Sequence, residues 1–134
     1  HLEARQYLAL TKGELLSRLT ELRLGCFRDT PPCTAAEGAE LMRALESPNI
    51  RHLDLTGIPI GARGAKAMAS KEWASRLRIL ELSSCRIGES GGRALLDVLD
   101  PAILARATLY ENRIPKSVRE QFEEKFGSER VLLM

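Results

Sequence analysis

One pattern returns along this chain at a fixed interval, and it limits the fold more than any other feature. The segment Ile50-Arg51-His52-Leu53-Asp54-Leu55-Thr56-Gly57-Ile58-Pro59-Ile60-Gly61 recurs as Leu77-Arg78-Ile79-Leu80-Glu81-Leu82-Ser83-Ser84-Cys85-Arg86-Ile87-Gly88. It recurs again as Leu104-Ala105-Arg106-Ala107-Thr108-Leu109-Tyr110-Glu111-Asn112-Arg113-Ile114-Pro115. All three follow L-x-x-L-x-L-x-x-(N/C)-x-I, with Ile58 and Ala107 as the departures, and Leu55, Leu82 and Leu109 stand 27 residues apart. An earlier copy at Leu19, Leu22 and Leu24 lies 31 residues before the second; the surplus falls in the loop from Arg28 to Cys33, where Pro31-Pro32 breaks regular structure. The downstream halves agree as well: Gly38-Ala39-Glu40-Leu41-Met42, Gly64-Ala65-Lys66-Ala67-Met68 and Gly91-Gly92-Arg93-Ala94-Leu95.

Each unit changes its apolar period partway along. Leu-x-Leu alternates as a short strand with one buried face. The stretch after the glycine then places apolar residues at helical spacing, as in Leu41, Met42 and Leu45 or Ala94, Leu95 and Val98. One strand and one helix cannot bury their own apolar faces, so the units must stack. The expectation is an α/β solenoid of about four strand–helix repeats of about 27 residues, with terminal caps.

On these residues the chain resembles the leucine-rich-repeat family, and its ribonuclease-inhibitor-like class in particular. Ile60-Gly61-Ala62-Arg63-Gly64-Ala65-Lys66-Ala67 and Ile87-Gly88-Glu89-Ser90-Gly91-Gly92-Arg93-Ala94 are most similar to bacterial members, and Phe126-Gly127-Ser128-Glu129-Arg130-Val131 resembles the way such arrays finish. The resemblance implies strands on a concave side and helices on a convex side. It also implies use in protein–protein recognition, with a minority of the family serving GTPase activation or innate sensing.

Composition narrows the function classes. The formal net charge is +2, which argues against a nucleic-acid partner or a polybasic membrane surface. No apolar run approaches the ~20 residues of a spanning helix. Two His and three Cys leave little material for a metal site, and no cofactor motif, nucleophile elbow or phosphate loop is present. Aromatic residues make up only 4% of the chain, so the core must be aliphatic.

The ends read differently from the middle. Residues 1–18 are expected to form an N-terminal helical cap, or the remains of an upstream domain, with a possible tag remnant at 1–3. Thr11 and Glu14 there have capping-box spacing. Residues 19–134 are expected to form the repeat domain, closed by a cap helix at 115–126 with Val118, Phe122 and Phe126 on one stripe. Gly127 stands where that helix would stop, and Val131 to Met134 could add an apolar edge. The expected state is a monomer or part of a larger chain, in the cytoplasm.

Cys85 and Asn112 occupy the position at which the family carries Asn or Cys, where the side chain bonds backbone at the strand-to-loop corner. A reactive thiol at Cys85 is the alternative, but nothing nearby in sequence would depress its pKa. Cys26 and Cys33 flank the irregular loop as ordinary thiols, a disulfide, or zinc ligands with His52. Trp73, in a helix-to-strand connection, is either local packing or a binding hot spot.

Alternate strand residues point away from the helices. Across the four strands they fall into rows: Glu21, His52, Ile79, Arg106; then Arg23, Asp54, Glu81, Thr108; then Gly25, Thr56, Ser83, Tyr110. The candidate partner-binding residues are Arg23, His52, Asp54, Thr56, Glu81, Ser83, Arg106 and Tyr110, with two carboxylates central and Arg to either side. The alternative is that these side chains merely solvate an exposed sheet. Four strands at ~4.8 Å spacing give a small platform unless loops extend it. Asp54 and Glu81 also suggest a glycosidase pair, rejected for want of a pocket or sugar platform. The leading expectation is a non-enzymatic interaction module or scaffold. Regulation of a small GTPase through Arg28, Arg86 or Arg113 is the first alternative. A sensor or structural segment of a larger multidomain protein is the second.

Overall fold

A computed structural model describes residues 18–25 and 33–133 of the chain. The Leu-x-Leu segments form β1 (Glu21–Arg23), β2 (His52–Asp54), β3 (Ile79–Glu81) and β4 (Arg106–Thr108). Helices follow them: α1 (Ala35–Ala44), α2 (Gly61–Ala69), α3 (Gly88–Val98) and α4 (Lys116–Phe126). A short 3-10 helix, Glu72–Arg76, leads from α2 into β3. A fifth strand, β5 (Val131–Leu132), follows α4, so the parallel sheet runs β1-β2-β3-β4-β5 in chain order. Strands in sequence order joined by helices are what stacked identical units must give.

The register follows the repeat without slippage. Leu22 pairs with Leu53, Leu53 with Leu80, Leu80 with Ala107 and Ala107 with Val131. The inward side chains therefore lie over one another in rungs, and Leu53, Leu80 and Ala107 are fully buried. Leu55, Leu82 and Leu109 make the next rung, and Ile60, Ile87 and Ile114 the third. A one-residue slip would turn every one of these onto the open face, which is why the pairing is fixed so firmly.

The glycine-rich pattern has a packing cause. Gly61 and Gly88 both sit at φ +68, the left-handed entry to their helices that residues with a Cβ rarely adopt. Gly38 serves close approach instead: a Cβ there would stand 2.2 Å from the Pro59 carbonyl oxygen of the next unit. α1 thus packs almost directly on the backbone that leads into α2. α1 opens on a capping box, with Thr34 Oγ1 accepting from Glu37 N at 3.2 Å and Glu37 Oε1 accepting from Thr34 N at 3.0 Å. The same T-x-x-E spacing was legible at Thr34 as at Thr11. Thr11 and Glu14, with the rest of the proposed N-terminal cap to residue 17, lie outside the described residues.

At the other end, Val118, Phe122 and Phe126 are buried on one stripe of α4, the two rings 6.0 Å apart. Arg130 fastens the turn after it, donating from Nε to Phe126 O at 2.9 Å and from a terminal nitrogen to Leu104 O at 3.2 Å. Trp73 is only 2% exposed and belongs to the core, so the hot-spot alternative fails for it.

Candidate functional site: the open face of the sheet

The strand pairings set the outward side chains in the rows that alternation requires. Glu21, His52, Ile79 and Arg106 are successive partners, as are Arg23, Asp54, Glu81 and Thr108. The third row, Thr56, Ser83 and Tyr110, lies just past the strand ends, where the chain turns toward the helices.

Five of these residues form one connected ionic chain across β1–β4. Arg23 Nε contacts Glu21 Oε1, and the same oxygen lies 3.3 Å from His52 Nδ1. The other ring nitrogen, His52 Nε2, lies 3.0 Å from Glu81 Oε2, and Glu81 Oε1 lies 3.7 Å from Arg106. Of the two ring contacts, the one from Nε2 to Glu81 has hydrogen-bond geometry, and the one from Nδ1 to Glu21 is a longer approach. The His52 side chain is 14% exposed, Glu81 27%, and the two terminal Arg more than half, so the middle of the chain is the shielded part.

Asp54 stands apart from that chain. Its Oδ1 accepts from Thr56 N at 3.0 Å, and Gly25 makes room for it, since a Cβ at Gly25 would come within 2.9 Å. Ser83 Oγ accepts from Tyr110 N at 3.1 Å, joining the third row across two strands. Tyr110 is 37% exposed, with its ring on the rim. The two central carboxylates are therefore already engaged, Glu81 by His52 and Arg106 and Asp54 by backbone. Glu21, which alternation only placed in a row, proves to be the link between Arg23 and His52.

A family model described as Leucine Rich repeat matches residues 46–69 and 76–96. These spans hold β2 with α2 and β3 with the first part of α3, the two units whose register is given above. These two units are leucine-rich repeats, and the parallel strands and helices stacked with them fit an α/β leucine-rich-repeat solenoid. No curated protein matches the chain. Leucine-rich repeats generally mediate protein–protein interaction, and the family is typically non-enzymatic.

The corners of the leucine-rich repeats are held by side chains at the (N/C) position. Asn112 Oδ1 accepts from Cys85 N at 2.9 Å and Ile87 N at 3.2 Å, and Nδ2 donates to Leu82 O at 2.7 Å and Tyr110 O at 3.1 Å. All four hydrogen-bonding valences of the carboxamide are used. Cys85 Sγ donates to Leu55 O at 3.0 Å, and burial pushes the thiol up to about 12. That is a structural cysteine, not a nucleophile. Ile58, the apolar occupant of the same position in the second repeat, is simply buried.

Arg86 and Arg113 are exposed at equivalent corners, at φ 58 and 54; Arg28 lies outside the described residues. Cys33 is a free, half-buried thiol, and Cys26 also lies outside the described residues. Among the described residues no three His, Cys, Asp or Glu side chains gather as metal ligands, and no helix is long and apolar enough to cross a membrane.

Proposed function

We propose that this protein is a protein-interaction module whose partner docks on the open face of the sheet. The observation that carries the reading is the ionic chain Arg23–Glu21–His52–Glu81–Arg106. It fixes five side chains in one pattern across four strands before any partner arrives. Side chains already held in place lose little rotamer freedom on binding, which favours affinity. The positions left free for contact are Thr108 and the exposed Tyr110, with Ile79 supplying an apolar spot between the His52 and Arg106 positions. A tyrosine on the rim is the residue type that interfaces favour.

The test compares two faces. A photo-crosslinking residue replaces Tyr110 in one variant and Arg63, exposed on α2, in another. Crosslinking to the same partner from Tyr110 and not from Arg63 is expected. With that partner purified, Thr108→Arg combined with Tyr110→Ala should weaken binding at least ~tenfold, the usual size of a hot-spot loss. Its melting temperature should stay that of the parent. Crosslinking from Arg63 alone, or an unchanged affinity, sinks the assignment of this face.

A further inference from the structure

The fourth repeat presents a pair of N–H groups that its own predecessor shows how to satisfy. In the third repeat, the backbone N–H groups of Cys85 and Ile87 both donate to one oxygen, Asn112 Oδ1, at 2.9 and 3.2 Å. Their equivalents 27 residues on are the N–H groups of Asn112 and Ile114. Neither has an acceptor among the described residues, although Asn112 is 2% exposed and Ile114 8%. Buried N–H groups are rarely left so, because the missing bond costs about 1–3 kcal/mol.

A cavity of about 230 Å³ lies at this place, lined by Leu109, Asn112, Arg113, Ile114, Arg119 and Leu133. Two arginines, Arg113 and Arg119, stand among its aliphatic lining residues. Arg119 Nε is shut from solvent without a hydrogen-bond partner, and Arg113 has no anionic partner among the described residues. Asn112 itself spends its whole carboxamide on Cys85, Ile87, Leu82 and Tyr110 and has nothing left to offer the cavity.

We propose that this cavity binds a carboxylate carried on a short apolar body. One carboxylate oxygen takes the place that Asn112 Oδ1 takes one rung earlier, accepting from the N–H groups of Asn112 and Ile114. Arg113 and Arg119 supply the opposite charge, which selects a carboxylate over a neutral carboxamide. The apolar body rests on Leu109, Ile114 and Leu133. An aliphatic cavity of roughly 150 Å³ already accepts benzene, so a branched body of that size fits. Phosphate fits worse, because three aliphatic walls leave its further oxygens unpaired. The site is independent of the open sheet face.

The ligand is sought by titrating the isotope-labelled protein and following its amide resonances. 3-Methylbutanoate should move the Asn112 and Ile114 amides and saturate with Kd on the order of 1–10 mM, a magnitude suited to so small a ligand. 3-Methylbutanamide and inorganic phosphate should bind at least ~tenfold more weakly, for want of the charge pairing or of the apolar fit. N-acetyl-Gly-Gly-Leu as free acid and as amide separates the two sources of the same chemistry. If the free acid binds more tightly than 3-methylbutanoate, the ligand is a chain terminus; if less tightly, it is a free small acid. Arg113→Gln and Arg119→Gln should each raise Kd by ~3–10-fold, the loss of one charge-assisted pair. Should Arg119→Gln fail to fold, the exposed Arg113→Gln carries the test. Unmoved Asn112 and Ile114 amides, equal binding of the neutral amide or of phosphate, or full affinity in Arg113→Gln would overturn the proposal.

Discussion

The carboxamide oxygen of Asn112 stands 2.9 Å from the backbone nitrogen of Cys85, one repeat away, and the two residues hold the same place in their own units. One corner is thus tied to the next through the residue that the repeat pattern marks. Asn112→Ala removes both acceptor and donor at once and leaves the N–H groups of Cys85 and Ile87 and the carbonyl of Leu82 unmet, while Tyr110 O keeps its bond from Ser84 N. A loss of ~2–4 kcal/mol is expected, less than the sum of three buried groups because water can enter the gap. Urea unfolding measures it. Faster hydrogen exchange at the Cys85 and Ile87 amides locates it, and unchanged exchange there would contradict the bonding.

Cys85 predicts an alkaline limit to stability. Its thiol keeps its proton up to about 12 in the folded chain, against 9.0 when unfolded, chiefly because burial disfavours the thiolate. Between those values the folded state binds the proton and the unfolded state does not, so stability falls as pH rises. Its contribution is intact below pH 9 and declines from there toward pH 12, at up to ~1.4 kcal/mol per pH unit. Unfolding midpoints at pH 8 and 10.5 should differ more in the parent than in Cys85→Ala. Equal differences would count against the burial.

Two glycines should respond to the same substitution in opposite directions. A Cβ on Gly38 meets the Pro59 carbonyl oxygen at 2.2 Å, and backbone cannot move aside cheaply, so Gly38→Ala should cost ~2 kcal/mol or more. A Cβ on Gly92, inside α3, meets only Ile114 side-chain atoms at 3.4 Å and beyond. There the helix preference for alanine prevails, and Gly92→Ala should stabilise by up to ~1 kcal/mol. Thermal melts of the two variants decide it.

Leu53 and Leu80 are neighbours in the innermost rung, both fully buried. Leu53→Ala or Leu80→Ala should cost ~2–5 kcal/mol, the transfer of the side chain plus the cavity it leaves. Chemical denaturation reads the value directly. A loss below ~1 kcal/mol would mean that the inward register is wrong.

The rows of the sheet were legible in the sequence because two periods fix them. The alternation of two decides which residues face outward, and the 27-residue spacing decides which of them are neighbours. His52 beside Ile79 and Asp54 beside Glu81 follow from those numbers alone. The corner roles of Cys85 and Asn112 were legible for the same reason. The ionic chain was not, since the meeting of Glu21 with both Arg23 and His52 depends on rotamers that spacing does not constrain. β5 was legible only as an apolar edge: Val131 follows its partner Ala107 by 24 residues and has no Leu-x-x-Leu-x-Leu around it. The cavity at the fourth corner has a trace in the repeat spacing. Positions 112 and 114 repeat 85 and 87, so their N–H groups had to be accounted for.

The corner bonds also give the molecule a mechanical polarity. Leu55 O accepts a hydrogen bond from Cys85 Sγ, and Cys85 N in turn donates to Asn112 Oδ1, so the second and third units are each braced by the one after. Peeling away the last unit takes the brace from the one before it, and the loss passes backwards step by step. Removing the first unit takes no such brace from the others. A chain pulled from its C-terminal end should therefore come apart in successive steps at lower force than one pulled from its N-terminal end.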